Sequence, residues 1–241
     1  MLNSVGLTGP GIGPWIRDDL PELHATGASV IASLWGRTID DYAEGASLLS
    51  EAGSRLVAIE LNLSCPNLDG GRHMFAVDPE ATQSVVAAVC SVTELPVFAK
   101  LTAVVTDIIE IARRAIDAGA TGLTLINTLL GIAIDADARR PVLGAGGGGL
   151  SGPPIKPVAL RAICDVARAL PGVPIIGMGG VTNGTDAVEM LLAGATAVGV
   201  GTATFAEPRA ALRVRDELTT WCARRGIAST RELVGTMNAE R

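Results

Sequence analysis

Short apolar runs alternate with longer amphipathic ones along most of the chain. A helical stretch, commonly closed by glycine, is followed by a β-branched apolar run and then by a polar or glycine-rich loop. The repeats begin TGASVIASLWG at Thr26, EAGSRLVAIELN at Glu51 and ELPVFAKLT at Glu94. They continue as DAGATGLTLINT at Asp117, LPGVPIIGMGGV at Leu170 and LAGATAVGVGTA at Leu192. The apolar runs are too short for helices and apolar on both faces, as strands of a covered parallel sheet must be. Residues 40–52, 79–92, 107–118, 157–169 and 185–193 carry the helical period between them. Pro79 and Pro157 stand where a first-turn proline belongs.

The chain therefore reads as six successive β-α units in a single domain over 1–241. Such repeats build either an open doubly wound sheet or a closed (β/α)8 TIM barrel. The two glycine-rich loops after the last strands, GMGGV at 177–181 and GVGT at 199–202, favour the barrel, whose phosphate site lies after strands seven and eight. The six strands would then be barrel strands three to eight, leaving the domain N-terminally incomplete by two strands. The connection 127–156 holds GAGGGGLSGP. A loop of that length in a compact domain either carries function or is a flexible linker.

Composition narrows the partners. The net charge is −6, which offers no electrostatic attraction to nucleic acid. No apolar run approaches membrane-spanning length, and the start lacks the pattern of a secretory signal. The four cysteines (Cys65, Cys90, Cys164, Cys222) show neither metal spacing nor a disulfide framework. A cytoplasmic protein with reduced thiols is expected.

In a barrel the residues just after each strand share one mouth. Those positions bring together Asn62, Ser64, Cys65 and Asn67, then Lys100 and Thr102, then Asn127 and Thr128, then Gly179, Gly180, Gly201 and Thr202. Amides and hydroxyls dominate, which suits a planar ligand with imide-like edges. A lysine at a strand end can stabilise charge developing on a bound ring. Each residue also has a plainer reading: Cys65 as a structural thiol, Asn62 and Asn67 as turn residues, Lys100 as a solvated charge, Asn127 and Thr128 as a turn cap.

NLSCPN, KLT, INT, GGLSGPxIKPxALR, GMGGV and GVGTAxF, in that order, closely resemble the class 1 dihydroorotate dehydrogenases, and the match runs from Met1 to about Pro208. The resemblance implies a TIM barrel that binds FMN and oxidises (S)-dihydroorotate to orotate in pyrimidine synthesis. It implies that Cys65 is the base that takes the C5 proton. Asn3, Asn62, Asn67, Asn127 and Thr128 would hold the substrate. Asn62, Lys100, Ile126, Gly152, Gly179, Gly180, Gly201 and Thr202 would hold FMN, the last four at its phosphate.

Cysteine rather than serine at position 65 is similar to the soluble class. DGGRHMFAVDP is similar to subclass 1B, whose catalytic subunit pairs with an iron–sulfur/FAD electron-transfer subunit linked to NAD. The fumarate-using subclass stays open, as does the pyrimidine-reducing domain of dihydropyrimidine dehydrogenase. A homodimer is implied. Two departures stand out. The family's first two strands and their Lys-Thr motif have no counterpart here, so an inactive barrel fragment is the non-enzyme alternative. Ala103-Val104 replaces a common Pro-Asn pair.

Overall fold

The computed structural model describes residues 1–64 and 74–237. The chain divides into two compact units, one of residues 6–101 and 110–123 and the other of residues 1–5, 102–109 and 124–241.

In the unit of residues 6–101 and 110–123, α1 (Ile12–Pro14), a π-helical turn (Trp15–Asp19) and α2 (Leu20–Ala25) precede β2 (Ile31–Leu34). This helical entry lies outside the expected segments, because Gly13, Pro14 and Pro21 interrupt its period. Then come α3 (Ile39–Ser50), β3 (Ala58–Asn62), α4 (Pro79–Cys90) and β4 (Val97–Leu101). β2, β3 and β4 pair in parallel, with Ala32 opposite Ile59 and Ile59 opposite Val97. One sheet face holds the buried Ala32, Leu34, Ile59, Leu61, Val97, Ala99 and Leu101, with α3 packed on β2 and β3. The approach is close. A methyl group on Gly45 of α3 would lie 2.6 Å from Leu34 Cδ1. Each fully buried Leu or Ile on this face contributes about 1.5–3 kcal/mol.

Local capping fixes where these helices start. Thr38 and Asp41 form a reciprocal capping box at α3. At α4 the Asp78 carboxylate accepts from the N–H groups of Glu80 and Ala81, with Pro79 in the first turn. These caps satisfy donors that the helix itself leaves unpaired.

α5 (Ile108–Asp117) leads into β5 (Gly122–Leu125). The N-terminal half of β5 belongs to the unit just described and its C-terminal half to the other. Strand order is β5-β4-β3-β2 in the former, and β5 is followed by β10 (Ile175–Met178) and β11 (Ala197–Gly199) in the latter. Strands in chain order, each separated by a helix, are the arrangement of part of a (β/α) barrel.

The unit of residues 1–5, 102–109 and 124–241 also holds an antiparallel sheet that period counting does not reveal. β1 (Leu2–Asn3), β6 (Leu129–Gly131) and β9 (Gly148–Leu150) form it in the order β1-β9-β6. β7 (Ile134–Asp135) and β8 (Arg140–Pro141) make a small ribbon between. The long connection 127–156 is thus ordered β structure rather than a linker. After it come α6 (Lys156–Ala169), α7 (Gly184–Ala193), α8 (Ala203–Ala206) and α9 (Ala210–Ala223). Val188 and Leu191 of α7 share a core with Cys222 of α9 and Leu233, so that cysteine is structural.

Candidate active site

The expected site residues fall into two sets, one in each unit, while Cys65 and Asn67 lie outside the described residues.

The first set sits on β3 and β4. Their parallel register puts Asn62 opposite Lys100 and Glu60 opposite Phe98. By the twofold period of a strand, Glu60, Asn62, Phe98 and Lys100 share the face turned away from the helices. Lys100 Nζ lies 3.6 Å from Glu60 Oε1, both side chains mostly buried. Lys100 is therefore a paired, sheltered cation and not a solvated strand end. Glu60 is a carboxylate the sequence reading passed over, although its position two residues before Asn62 was the available signal. The Asn62 carbonyl accepts from the Tyr42 hydroxyl at 2.7 Å, and its Oδ1 accepts from Ser64 Oγ at 3.4 Å. Tyr42 is 1% exposed and meets Phe75 edge to face. The end of β3 is thus anchored to α3.

The second set is assembled by β9. Asn3 on β1 and Leu130 on β6 flank Gly149 from opposite sides. A Cβ on Gly149 would lie 2.6 Å from Thr128 Oγ1, and one on Gly148 would lie 2.3 Å from the Asn3 carbonyl oxygen. Only glycine leaves room for both neighbours. The glycine run therefore brings Asn3 and Thr128, far apart in sequence, to the two sides of one strand. The chain terminus is tied in as well. The Met1 ammonium donates to the Ser151 carbonyl at 2.7 Å, and Ser151 N–H donates back to the Met1 carbonyl at 2.8 Å.

Asn127 Oδ1 accepts from Thr128 N–H at 2.9 Å, so the plainer turn role holds for that oxygen. Thr102 is 1% exposed, and its hydroxyl oxygen accepts from Val104 N–H in a local turn. Ile126 is buried, with its N–H donating to the Met178 carbonyl.

The glycine loops follow β10 and β11. A Cβ on Gly152 would lie 3.6 Å from Thr202 Cγ2, which puts the GGLSGP segment beside the last loop. Gly179 and Gly180 have φ of +124° and +82°. A Cβ on Gly180 would lie 2.8 Å from Lys156 Cβ and 2.9 Å from the Gly152 carbonyl oxygen, while Gly201 has nothing within 4 Å on that side. Among the described residues, nothing accepts the N–H groups of Gly180, Gly201 or Thr202. Unused backbone donors on an open glycine surface fit the phosphate of a cofactor.

The start of α7 is not part of that donor set, because carboxylates of α7 and α9 occupy it. Asp186 Oδ2 accepts from Thr182 N–H, Thr182 Oγ1 and Asn183 N–H. Glu217 accepts from Gly184 N–H at 2.6 Å. Lys156 Nζ lies 2.6 Å from both Asp186 Oδ1 and Glu189 Oε2. Burial pushes the Asp186 carboxyl up, but the bonds from Lys156 and Thr182 outweigh it and hold the group below the ordinary carboxylate range. The two carboxylate bonds raise Lys156 in turn. Neither Lys156 nor Asp186 was singled out from sequence. Among the described residues there is no cluster of His, Cys, Asp and Glu that could hold a metal. No described helix is long and apolar enough to cross a membrane.

The family model described as dihydroorotate dehydrogenase matches residues 1–221. A relative named dihydroorotate dehydrogenase B (NAD(+)), catalytic subunit, from Trichlorobacter lovleyi is 48% identical over 98% of this chain and 77% of its own length. Its namesake from Geobacter sulfurreducens is 47% identical over the same shares. The crystal structure of ligand-free DHODH from Eimeria tenella superposes with a TM-score of 0.79 at 24% identity, over 99% of this chain and 74% of that one, and shows the shared fold. The chain belongs to the dihydroorotate dehydrogenase family.

Proposed function

We propose that this protein oxidises (S)-dihydroorotate to orotate, a step of pyrimidine synthesis, with FMN as its cofactor. The observation that supports this most directly is the β1-β9-β6 sheet. It sets Asn3 and Thr128 on either side of Gly149 in a chain nearly half identical to named catalytic subunits.

Bound FMN would supply the two-electron acceptor for the hydride leaving C6 of the substrate. Gly179, Gly180, Gly201 and Thr202 would hold its phosphate through backbone N–H groups. Gly152 and Ile126 would lie along it, and Asn62 and Lys100 would meet its ring, where the sheltered Lys100 charge is strengthened by low local dielectric. Asn3, Asn62, Asn67, Asn127 and Thr128 would orient the substrate's imide and carboxylate edges, since amides both donate and accept. Cys65 would take the proton from C5, because a thiol titrates close enough to neutral pH to act as a general base.

The names of the relatives support subclass 1B, with NAD+ as the final acceptor and a separate electron-transfer subunit of the iron–sulfur/FAD kind as partner. A homodimer of the catalytic chain and a cytoplasmic location complete the reading, as does an FMN-binding barrel of six βα units over 1–241.

The test is anaerobic stopped-flow reduction of the bound flavin by dihydroorotate. Cys65→Ser should bind FMN normally and be reduced at least ~100-fold more slowly, the usual loss for a general base. Reduction at the wild-type rate removes Cys65 from that role. Wild-type protein that binds FMN but is not bleached by dihydroorotate overturns the substrate.

A further inference from the structure

Lys156 lies beside the glycine loop, with its Cβ against Gly180, and a lysine so placed is chemically suited to bind a phosphate. Its Nζ is already shared between Asp186 Oδ1 and Glu189 Oε2, each at 2.6 Å. One positive charge against two negative ones brings no net attraction for an anion. The same lysine opens α6, and its Cβ and N–H face Gly180, the ideal Cβ of which would stand 2.8 and 3.1 Å from them. Asp186 uses its other oxygen on Thr182 N–H, Thr182 Oγ1 and Asn183 N–H. The Asp186 N–H donates to Asn183 Oδ1 at 3.0 Å. A further layer holds the far side. Glu217 accepts from Gly184 N–H and from Arg213, which Glu207 holds in turn. Every residue from Thr182 to Gly184 therefore has its N–H fixed by a carboxylate or stands next to one that does.

We infer that Lys156, Asp186 and Glu189 form a clamp that ties the start of α6 to the start of α7 and so positions Gly179 and Gly180 as backbone anion donors. In this arrangement Lys156 is a positioning residue and makes no contact with the phosphate. The inference rests on the proposed phosphate role of the loop. Its physical basis is rigidity: a phosphate held by neutral N–H groups is bound well only if those groups are already aimed.

The two roles for Lys156 predict opposite signs. If its ammonium bound the phosphate, Asp186→Asn would release it from a competing carboxylate and tighten FMN binding. If it is a clamp, the same change loosens the loop and weakens FMN binding. The experiment compares the dissociation constants of FMN and riboflavin, which lacks the phosphate, by flavin fluorescence across a salt series.

Wild-type protein should prefer FMN. Asp186→Asn and Lys156→Met should each cut that preference about tenfold or more, the order lost when the partner that holds a ligand group is removed. Riboflavin affinity should be unchanged. Lys156→Arg, which can still bridge two carboxylates, should restore most of the preference. Lys156→Met should keep the wild-type salt dependence of FMN binding, since no cation contact has been lost. Glu189→Gln, on the more exposed arm, gives a milder loss should the other variants fold poorly. Tighter FMN binding by Asp186→Asn, a flattened salt dependence in Lys156→Met, or an unchanged preference in all variants overturns the clamp. A wild-type protein that binds FMN and riboflavin alike overturns the phosphate site itself, and the clamp's role with it.

Discussion

Gly148→Ala probes the packing that brings Asn3 to Thr128. An ideal Cβ there would stand 2.3 Å from the Asn3 carbonyl oxygen and 2.8 Å from its carbonyl carbon. Both are backbone atoms, so no side-chain rotation relieves the overlap. β1 is a two-residue edge strand, and its cheapest response is to lift off β9. That breaks the reciprocal pair between Met1 and Ser151. At a net 0.5–1.5 kcal/mol for each hydrogen bond, the local cost is about 1–3 kcal/mol. The opening is local, so the readout is amide exchange at Ser151, whose N–H donates to the Met1 carbonyl. Exchange should quicken about 5- to 150-fold, since 1.4 kcal/mol corresponds to tenfold. The KM for dihydroorotate should rise with it as Asn3 is displaced. Gly144→Ala is the control, because a Cβ there meets nothing within 4 Å. Wild-type exchange at Ser151 in Gly148→Ala would refute the close approach, and wild-type KM despite faster exchange would remove Asn3 from the substrate's contacts.

Other outcomes follow from the same geometry. Tyr42→Phe removes the hydroxyl that donates to the Asn62 carbonyl inside a buried site, and should lower stability by about 1–2 kcal/mol in urea titrations; an unchanged midpoint would show that this bond contributes nothing. Gly180→Ala meets Lys156 Cβ and the Gly152 carbonyl oxygen at a positive φ, and should destabilise by about 1–3 kcal/mol and weaken FMN binding; wild-type melting would count against the tight seat on α6. Asp186 has a lowered folded pKa, so the stability it adds is full above the unfolded value of about 3.9 and is lost as pH falls through the folded one. Asp186→Asn should therefore be less stable than wild type at neutral pH, with the gap closing on acidification below about pH 4; a gap independent of pH would refute the coupling.

The alternation of short apolar and longer amphipathic runs gave six strands and the helices between them, because both signals are local. A strand's period and a helix's cap are written within a few residues, as Thr38 with Asp41 and Asp78 with Pro79 show. Strand-end positions such as Asn62 and Lys100 were legible for the same reason, once strand ends were known. The helical entry over 12–25 was not, since Gly13, Pro14 and Pro21 interrupt its period.

What the sequence determined by itself is the order of elements and the residue types available at their ends. Which glycines are obligatory, and what they bring together, was decided only in three dimensions. Gly148 and Gly149 stand in a connection that the sequence leaves open between function and a flexible linker until β1, some 150 positions away, is laid against them. Lys156 carries no local sign of the ion pairs with Asp186 and Glu189 that hold it. These are contacts between segments distant in the chain, and no local pattern encodes them, because the free energy of a close approach or an ion pair depends on which surfaces the fold has already brought within a few ångströms.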